Sequence, residues 1–335
     1  MQPLDTLNRP LHDLRISVTD RCNFRCTYCM PKEVFGRDYQ FLPHEDLLSF
    51  EEIARAARLF VALGVSKVRL TGGEPLMRRE LEILVEMLAE IPGVDDLAIT
   101  TNGSFPLRRI QTLKEAGLKR MSVSLDALDD PTFKRMNDVD FPVQQVLDWV
   151  EASAEAGLSP VKINMVVKRG VNEHAILPMA HFFREKGHIL RLIEYMDVGS
   201  SNGWRLDDVV SAREIRDRIH AELPIEPLEA NYRGEVANRY RYVDGSGELG
   251  IIASVSQPFC GDCSRARISA DGKLYTCLFA IAGTSLRDPM RSGASDEELI
   301  ELLAAVWQKR EDRYSELRSA QTRELPKVEM SYIGG

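Results

Sequence analysis

From about residue 12 to residue 200, short apolar and β-branched runs alternate with stretches whose apolar positions recur at helical spacing. Six runs predict strands, at 14–19, 67–71, 97–101, 121–126, 161–167 and 189–196. The segments 44–63, 79–90, 106–116, 143–156 and 173–186 predict helices, closed by Gly64, Gly93, Gly117, Gly157 and Gly187. A strand–helix repeat of roughly 30 residues implies parallel strands joined by right-handed crossovers. Six such units fall short of the eight in a closed barrel, so the expected class is α/β, a partial open (β/α)6 barrel. Beyond residue 200 the rhythm stops. A helix at 211–221, the short runs NRYRYV, GIIASV, RARISA and KLYTC between Asp-Gly and Gly-Ser turns, and a helix at 296–308 predict a small C-terminal α+β cap. Its strands are expected to form an antiparallel layer over the barrel mouth. The expected boundaries are therefore 1–200 for the barrel and 201–335 for the cap and tail.

Composition narrows the class. The chain has 335 residues, 44% of them apolar, with 43 Lys+Arg against 51 Asp+Glu and a net charge of −8. That apolar content excludes a disordered chain, and net acidity argues against general nucleic-acid binding, which needs a basic surface. No apolar run reaches the roughly 18–20 residues of a membrane-spanning helix, and MQPLDTLNRP has no signal-peptide pattern. The expectation is a cytoplasmic chain without membrane or nucleic-acid partners.

The six cysteines fall in two groups of three, Cys22, Cys26 and Cys29, then Cys260, Cys263 and Cys277, with none between. Disulfides suit short secreted chains rather than reducing cytosol. Structural zinc wants four ligands in a closed tetrahedron, whereas each group supplies three thiolates. A [4Fe–4S] cubane held by three cysteines accounts for the count and leaves its fourth iron open. In the first group, C-x3-C-x2-C, the short loops let one segment wrap three corners, and Tyr28 could lie over the fourth.

Charged residues on short central strands are rare unless paired or functional. Lys67 and Arg69 lie on one face of one strand; Arg15, Lys162 and Arg191 stand on three others; Arg265 and Arg267 follow the second triad. Without a matching set of strand carboxylates, so many cations at one mouth read as a polyanion pocket.

The first triad, followed after about 45 residues by Thr71-Gly72-Gly73-Glu74-Pro75, resembles the radical S-adenosylmethionine superfamily. CNFRCTYC, RLTGGEP, TTNG, SVSLD, RLIEYM, CGDCSRARIS with Cys277, and the final Gly-Gly are together similar to the GTP 3′,8-cyclase family. That resemblance implies a partial barrel of the TIM-barrel type, a cap carrying a second cluster, and radical conversion of GTP at the first step of molybdenum cofactor biosynthesis. It implies two [4Fe–4S] clusters, on Cys22, Cys26 and Cys29 and on Cys260, Cys263 and Cys277, the open iron of the second taking the guanine ring. S-adenosylmethionine would be contacted by Tyr28, Gly73, Ser124 and Met196. GTP would be held by Arg15, Arg69, Thr100, Lys162, Arg265 and Arg267, with Lys67, Arg191, Gly334 and Gly335 as further pocket candidates. Implied partners are an electron donor and a downstream cyclic pyranopterin monophosphate synthase, for a monomer or homodimer. Two other classes stay open at this point: a radical S-adenosylmethionine maturase of peptides or proteins, and a non-catalytic iron–sulfur redox sensor.

Overall fold

In the computed structural model, which describes residues 2–319, 325 and 327–335, the six expected strands are present. They are β1 (Asp13–Ser17), β2 (Lys67–Thr71), β3 (Asp96–Thr101), β4 (Arg120–Ser124), β5 (Lys162–Val167) and β6 (Ile189–Glu194). They pair in sequence order, all parallel. Between them run α1 (Phe50–Ala62), α2 (Leu81–Ala89), α3 (Arg108–Glu115), α4 (Asp130–Asn137), α5 (Val143–Glu155) and α6 (Ile176–Glu185). The helix expected over 44–63 starts at Phe50, because Ser49 and Glu52 close a reciprocal capping box there. The short, polar α4 has no counterpart among the predicted helices; Asp129 caps it by accepting from Thr132 N. One apolar core, including Leu14, Ile16, Val68, Leu70, Trp149, Val150, Phe60 and Phe183, lies between strands and helices.

The remaining elements are α7 (Ala212–Glu222), β7 (Ile225–Leu228), β8 (Asn238–Tyr242), β9 (Glu248–Ile252), β10 (Arg265–Ile268), β11 (Lys273–Tyr275), β12 (Thr284–Ser285), α8 (Arg287–Arg291), α9 (Asp296–Gln308) and α10 (Met330–Ile333). Their strands correct the expectation of a separate antiparallel layer. β9 pairs in parallel with β6, and β10 in parallel with β1. Only β7, β8, β11 and β12 run antiparallel, outside these two. The sheet runs β12-β11-β10-β1-β2-β3-β4-β5-β6-β9-β8-β7, an open barrel whose two ends are not hydrogen-bonded to each other. The reason is visible in burial: Leu249 and Ile251 with Gly250 and Ile252, and Ala266 and Ile268 with Arg267, are shielded on both faces of their strands. Both edges of the six-stranded unit are thereby satisfied, and unpaired edges would otherwise expose rows of backbone donors and acceptors.

Register also places the two cysteine loops. Arg265, two residues after Cys263, pairs with Asp13 at the start of β1, whereas Cys22 follows the far end of that strand. About 13 Å of strand separates those levels. The second triad is therefore on the opposite side of the strand rows from the first, not over the same mouth.

Glu194, the last residue of β6, ties the C-terminal part to the barrel. Its fully buried carboxylate accepts from Ala212 N (2.6 Å) at the start of α7, and from Val255 N (2.6 Å) and Ser256 N (2.9 Å) after β9, with Ser256 Oγ as a further donor. Replacement by glutamine puts an N–H₂ where only acceptors fit. Glu194→Gln is expected to lower unfolding free energy by about 1–3 kcal/mol, the cost of a buried donor left unsatisfied, read from the denaturant midpoint.

Candidate active site

The loop after β1 is built by backbone contact with the loop after β2. Gly73 N donates to Thr19 O (2.9 Å) and Glu74 N to Arg21 O (2.8 Å). A Cβ on Gly73 would fall 2.2 Å from Arg21 O and 2.5 Å from its carbonyl carbon, so only glycine permits this approach. Arg25, between the first two cysteines, donates to Cys22 O, Phe24 O and Phe35 O, each at 2.8 Å, and so holds the loop's curvature. Glu74 accepts from Leu76 N, Thr101 Oγ1 and Asn102 N. Asp126 accepts from Tyr28 Oη (3.0 Å) and Val166 N (2.9 Å). Burial raises both carboxyls to about 7, against those bonds.

All six cysteines are free and line one cavity of about 270 Å³. Tyr28, Gly73, Ser124 and Met196 are in its wall, as are Arg15, Arg69, Thr100, Arg191, Arg265, Arg267 and Gly335. Gly334 stands beside them: Arg267 Nη1 donates to its carbonyl, and a Cβ there would lie 2.3 Å from Thr71 Cγ2. The expectation that one mouth collects every cation needs correction. Lys67 and Lys162 begin their strands and line an adjoining cavity of about 70 Å³, not the larger one. Arg15, Arg69, Arg191 and Arg265 belong to both walls. The supposed lack of strand carboxylates is also wrong in part, since Lys67 Nζ sits 3.5 Å from Asp13 and 3.9 Å from Asp96.

Three arginines form a row across neighbouring strands, Arg15 being paired in register with Arg267 on one side and Arg69 on the other. Burial, then Arg267, Arg265 and Arg69, push Arg15 well below its ordinary value. Burial and Arg265 bring Arg267 down to about 9; burial followed by Arg191, Arg120, Lys67 and Arg69 brings Lys162 to about 7. Arg69 Nη1 donates to Thr100 Oγ1 and Ser122 Oγ, both at 2.9 Å. Such a row is costly without an anion between its members.

Among the described residues no three His, Cys, Asp or Glu side chains converge on a point that would hold a single metal ion. Burial pushes the Cys22 thiol to about 12 and raises Cys26, so a cationic core must compensate these thiolates when they ligate. At Cys263 burial is outweighed by Arg265 and Arg310, which bring the thiol to about 6. Asn164 Oδ1 and Arg191 Nε are buried without hydrogen-bond partners in the same wall, an acceptor and a donor left over for a ligand. The donor set and these spare groups fit a cluster with a polar cofactor beside it. Glu74, in the Gly-Gly-Glu-Pro turn, and Asp126, at the end of the fourth predicted strand, receive no role from the sequence, and Asn164 is not singled out there at all. The last was legible in principle, because KINMVV alternates and puts Asn164 on the same face as Lys162.

The chain is 52% identical to the GTP 3′,8-cyclase of Acidothermus cellulolyticus, over 100% of this chain and 99% of that protein. It is 49% identical to the GTP 3′,8-cyclase of Staphylococcus aureus, over 99% and 98%. The chain belongs to the GTP 3′,8-cyclase family of radical S-adenosylmethionine enzymes. The Radical SAM superfamily model matches residues 16–183, and the Molybdenum Cofactor Synthesis C model matches residues 188–316. Among solved structures, native anSMEcpe with bound AdoMet matches with TM-score 0.51 and 16% identity, over 81% of this chain and 75% of that one. Methylornithine synthase matches with TM-score 0.50 and 17% identity, over 63% and 62%. These two likenesses concern the fold, a radical S-adenosylmethionine partial barrel. Membership of the superfamily brings a [4Fe–4S] cluster and S-adenosylmethionine as cofactors. No helix among the described residues is long and apolar enough to cross a membrane.

Gly73→Ala tests how the first loop is held. The added methyl must displace the Arg21 backbone, so iron uptake by anaerobically reconstituted protein is expected to fall by about four per chain, one cubane. Iron and sulfide analysis, with far-UV circular dichroism to check the fold, measures this.

Proposed function

We propose that this chain converts GTP to (8S)-3′,8-cyclo-7,8-dihydroguanosine 5′-triphosphate, at the first step of molybdenum cofactor biosynthesis. The observation that carries this reading is the row Arg267–Arg15–Arg69, set in one cavity with both cysteine triads. Full-length relatives named GTP 3′,8-cyclase support it. In this reading Cys22, Cys26 and Cys29 hold the first cluster, and Tyr28, Gly73, Ser124 and Met196 hold S-adenosylmethionine. Cys260, Cys263 and Cys277 would hold a second cluster, beside which the guanine would be bound. When bound, the first cluster and S-adenosylmethionine supply one-electron cleavage and removal of the ribose 3′ hydrogen.

The residues of the chain do the positioning. Arg15, Arg69, Arg265 and Arg267 neutralise the nucleotide's phosphates, with Thr100 fixing Arg69. A triphosphate that passes the arginine row reaches Lys162 and Lys67 in the adjoining cavity, which shares Arg15, Arg69, Arg191 and Arg265. The tail puts Gly335 in the cavity wall and Gly334 where a Cβ would meet Thr71, so a chain without side chains there can lie close to the bound nucleotide. A maturase acting on neutral peptide would have no use for this cation row, and a redox sensor none for the second cavity. The proposed partners are an electron donor and the cyclic pyranopterin monophosphate synthase that consumes the product.

The deciding experiment supplies GTP deuterated at C3′ to the reconstituted, reduced enzyme with S-adenosylmethionine under anaerobic conditions. Deuterium is expected in 5′-deoxyadenosine, together with the cyclised triphosphate, and Cys26→Ser is expected to abolish both. Deoxyadenosine free of deuterium would overturn the reading.

Lys162 gives a pH prediction. Its ammonium, held at about 7 in the free protein, is raised by a neighbouring triphosphate, so binding takes up a proton above neutrality. Affinity for GTP should fall as pH rises from 7.5 to 9, by up to about tenfold per pH unit for one proton. Calorimetry in buffers of different ionisation enthalpy reads the proton directly. Lys162→Gln should bind more weakly at pH 7.5 and lose the slope.

A further inference from the structure

Behind the second triad lies a buried ion network that neither the motifs nor the family's substrate contacts account for. Arg9 and Asp5 are wholly shielded, their side chains paired Nε to Oδ2 at 2.5 Å. Arg9 Nη1 donates to Cys260 O at 2.6 Å and to Asp312 O at 2.8 Å. Arg310, just past α9 and also buried, donates through Nη1 to Cys263 O at 2.6 Å and approaches Asp5 Oδ2 at 3.4 Å. Its guanidinium lies 4.6 Å from the Trp307 ring centroid, and Trp307 Nε1 donates to Arg9 O at 3.1 Å. Asp5 is further fixed by Leu7 N and Arg9 N, both donating to Oδ1 at 2.9 Å. The carbonyls of two of the three cysteines are thus gripped by two guanidiniums from opposite ends of the chain.

Burying two guanidiniums is expensive, and one wholly buried carboxylate does not balance them. The other nearby anion, Asp312, is 32% exposed, pairs with Arg310 Nε at 3.3 Å and also accepts from Thr276 Oγ1. Arg9 Nη2 is buried with no hydrogen-bond partner. The two guanidiniums sit directly behind the Cys260 and Cys263 carbonyls, so the cationic side of the network serves an anionic group held by that loop. Three thiolates on Cys260, Cys263 and Cys277 are such a group.

We propose that Arg9, Asp5 and Arg310 form a positioning and charge-setting brace for an iron–sulfur cluster on Cys260, Cys263 and Cys277, fixing the ligand carbonyls and setting the cluster's reduction potential. This rests on the reading of the second triad as a cluster site. Arg9 and Arg310 favour the reduced, more negative cluster, and Asp5 opposes them. The Arg9–Asp5 pair sits in a short N-terminal segment and works on a loop about 250 residues away in the chain.

The test uses the full-length chain carrying Cys26→Ala, so that only the second triad can hold a cluster, reconstituted anaerobically. About four irons per chain are expected; an iron-free protein would overturn both the cluster reading and the brace. In that background the potential is measured by redox titration followed by electron paramagnetic resonance. Arg9→Gln is expected to lower the potential by at least a tenfold change in the one-electron reduction constant, about 59 mV. Asp5→Asn, nearly isosteric, is expected to raise it. Opposite signs are the signature of charge, since loosened packing would move both variants alike. If either variant does not fold, the sign of the other decides. With iron bound, an unchanged potential, or shifts in the same direction, would overturn the brace while leaving the cluster reading standing.

Discussion

Three guanidiniums side by side on parallel strands repel one another, Arg69 and Arg267 buried and Arg15 half-buried at the cavity wall. If they keep the strand spacing of about 5 Å, each adjacent pair costs on the order of 3 kcal/mol at an effective dielectric of about 20. The protein spreads that strain over neutral acceptors, Arg69 onto the Thr100 and Ser122 hydroxyls and Arg267 onto the Gly334 carbonyl, while the neighbouring Arg265 donates to the acidic Cys263 sulfur. Each of these acceptors belongs to a different part of the chain. The arginine row therefore draws the barrel wall, the tail and the second cysteine loop together, although it destabilises the strands that carry it.

The open barrel makes that arrangement possible. A closed eight-stranded barrel fills its interior with apolar layers. Here β9 and β10 satisfy the edges of β6 and β1 without meeting each other. The gap lets the segment carrying Cys260 and Cys263 and the segment after α9 reach the interior, where Arg310 and Asp312 join the cavity wall. Glu194 fixes the approach on one side by gathering the start of α7 and the chain after β9. The Arg9–Asp5–Arg310 network fixes it on the other.

Much of this was readable beforehand, for identifiable reasons. The βα rhythm survives in sequence because period 2 and period 3.6 are local, and CNFRCTYC and RLTGGEP carry their chemistry in contiguous residues. Period 2 also tells which face a strand residue takes, so Lys67, Arg69 and Lys162 were placed inward. It says nothing of height along the strand, which depends on register, and the two lysines consequently fall in the adjoining cavity. Likewise GIIASV and RARISA look like half-exposed strands because four residues are too few to separate alternation from continuous burial. The brace was not legible. Arg9 and Asp5 share a segment, but their partner Arg310 comes from the far end of the chain, and no local pattern records such a meeting.

Charge along the cavity would keep the two proposed ligands, of opposite character, at separate ends of one space. At the end formed by the first cysteine loop stands Glu74, with Asp126 behind Tyr28, both buried and raised to about 7. A cationic cofactor arriving there draws their protons off and converts a desolvation cost into attraction. Beyond them the wall turns cationic with Arg15, Arg69, Arg191, Arg265 and Arg267. A polyanion misplaced at the carboxyl end would hold these groups protonated, and so would find no positive charge there to offset its own desolvation. A cation misplaced among the arginines would add to a repulsion already strong enough to hold Arg15 well below its ordinary value. Discrimination here comes as much from what each end rejects as from what it binds, and the strand length that separates the two ends sets how far apart the ligands are kept.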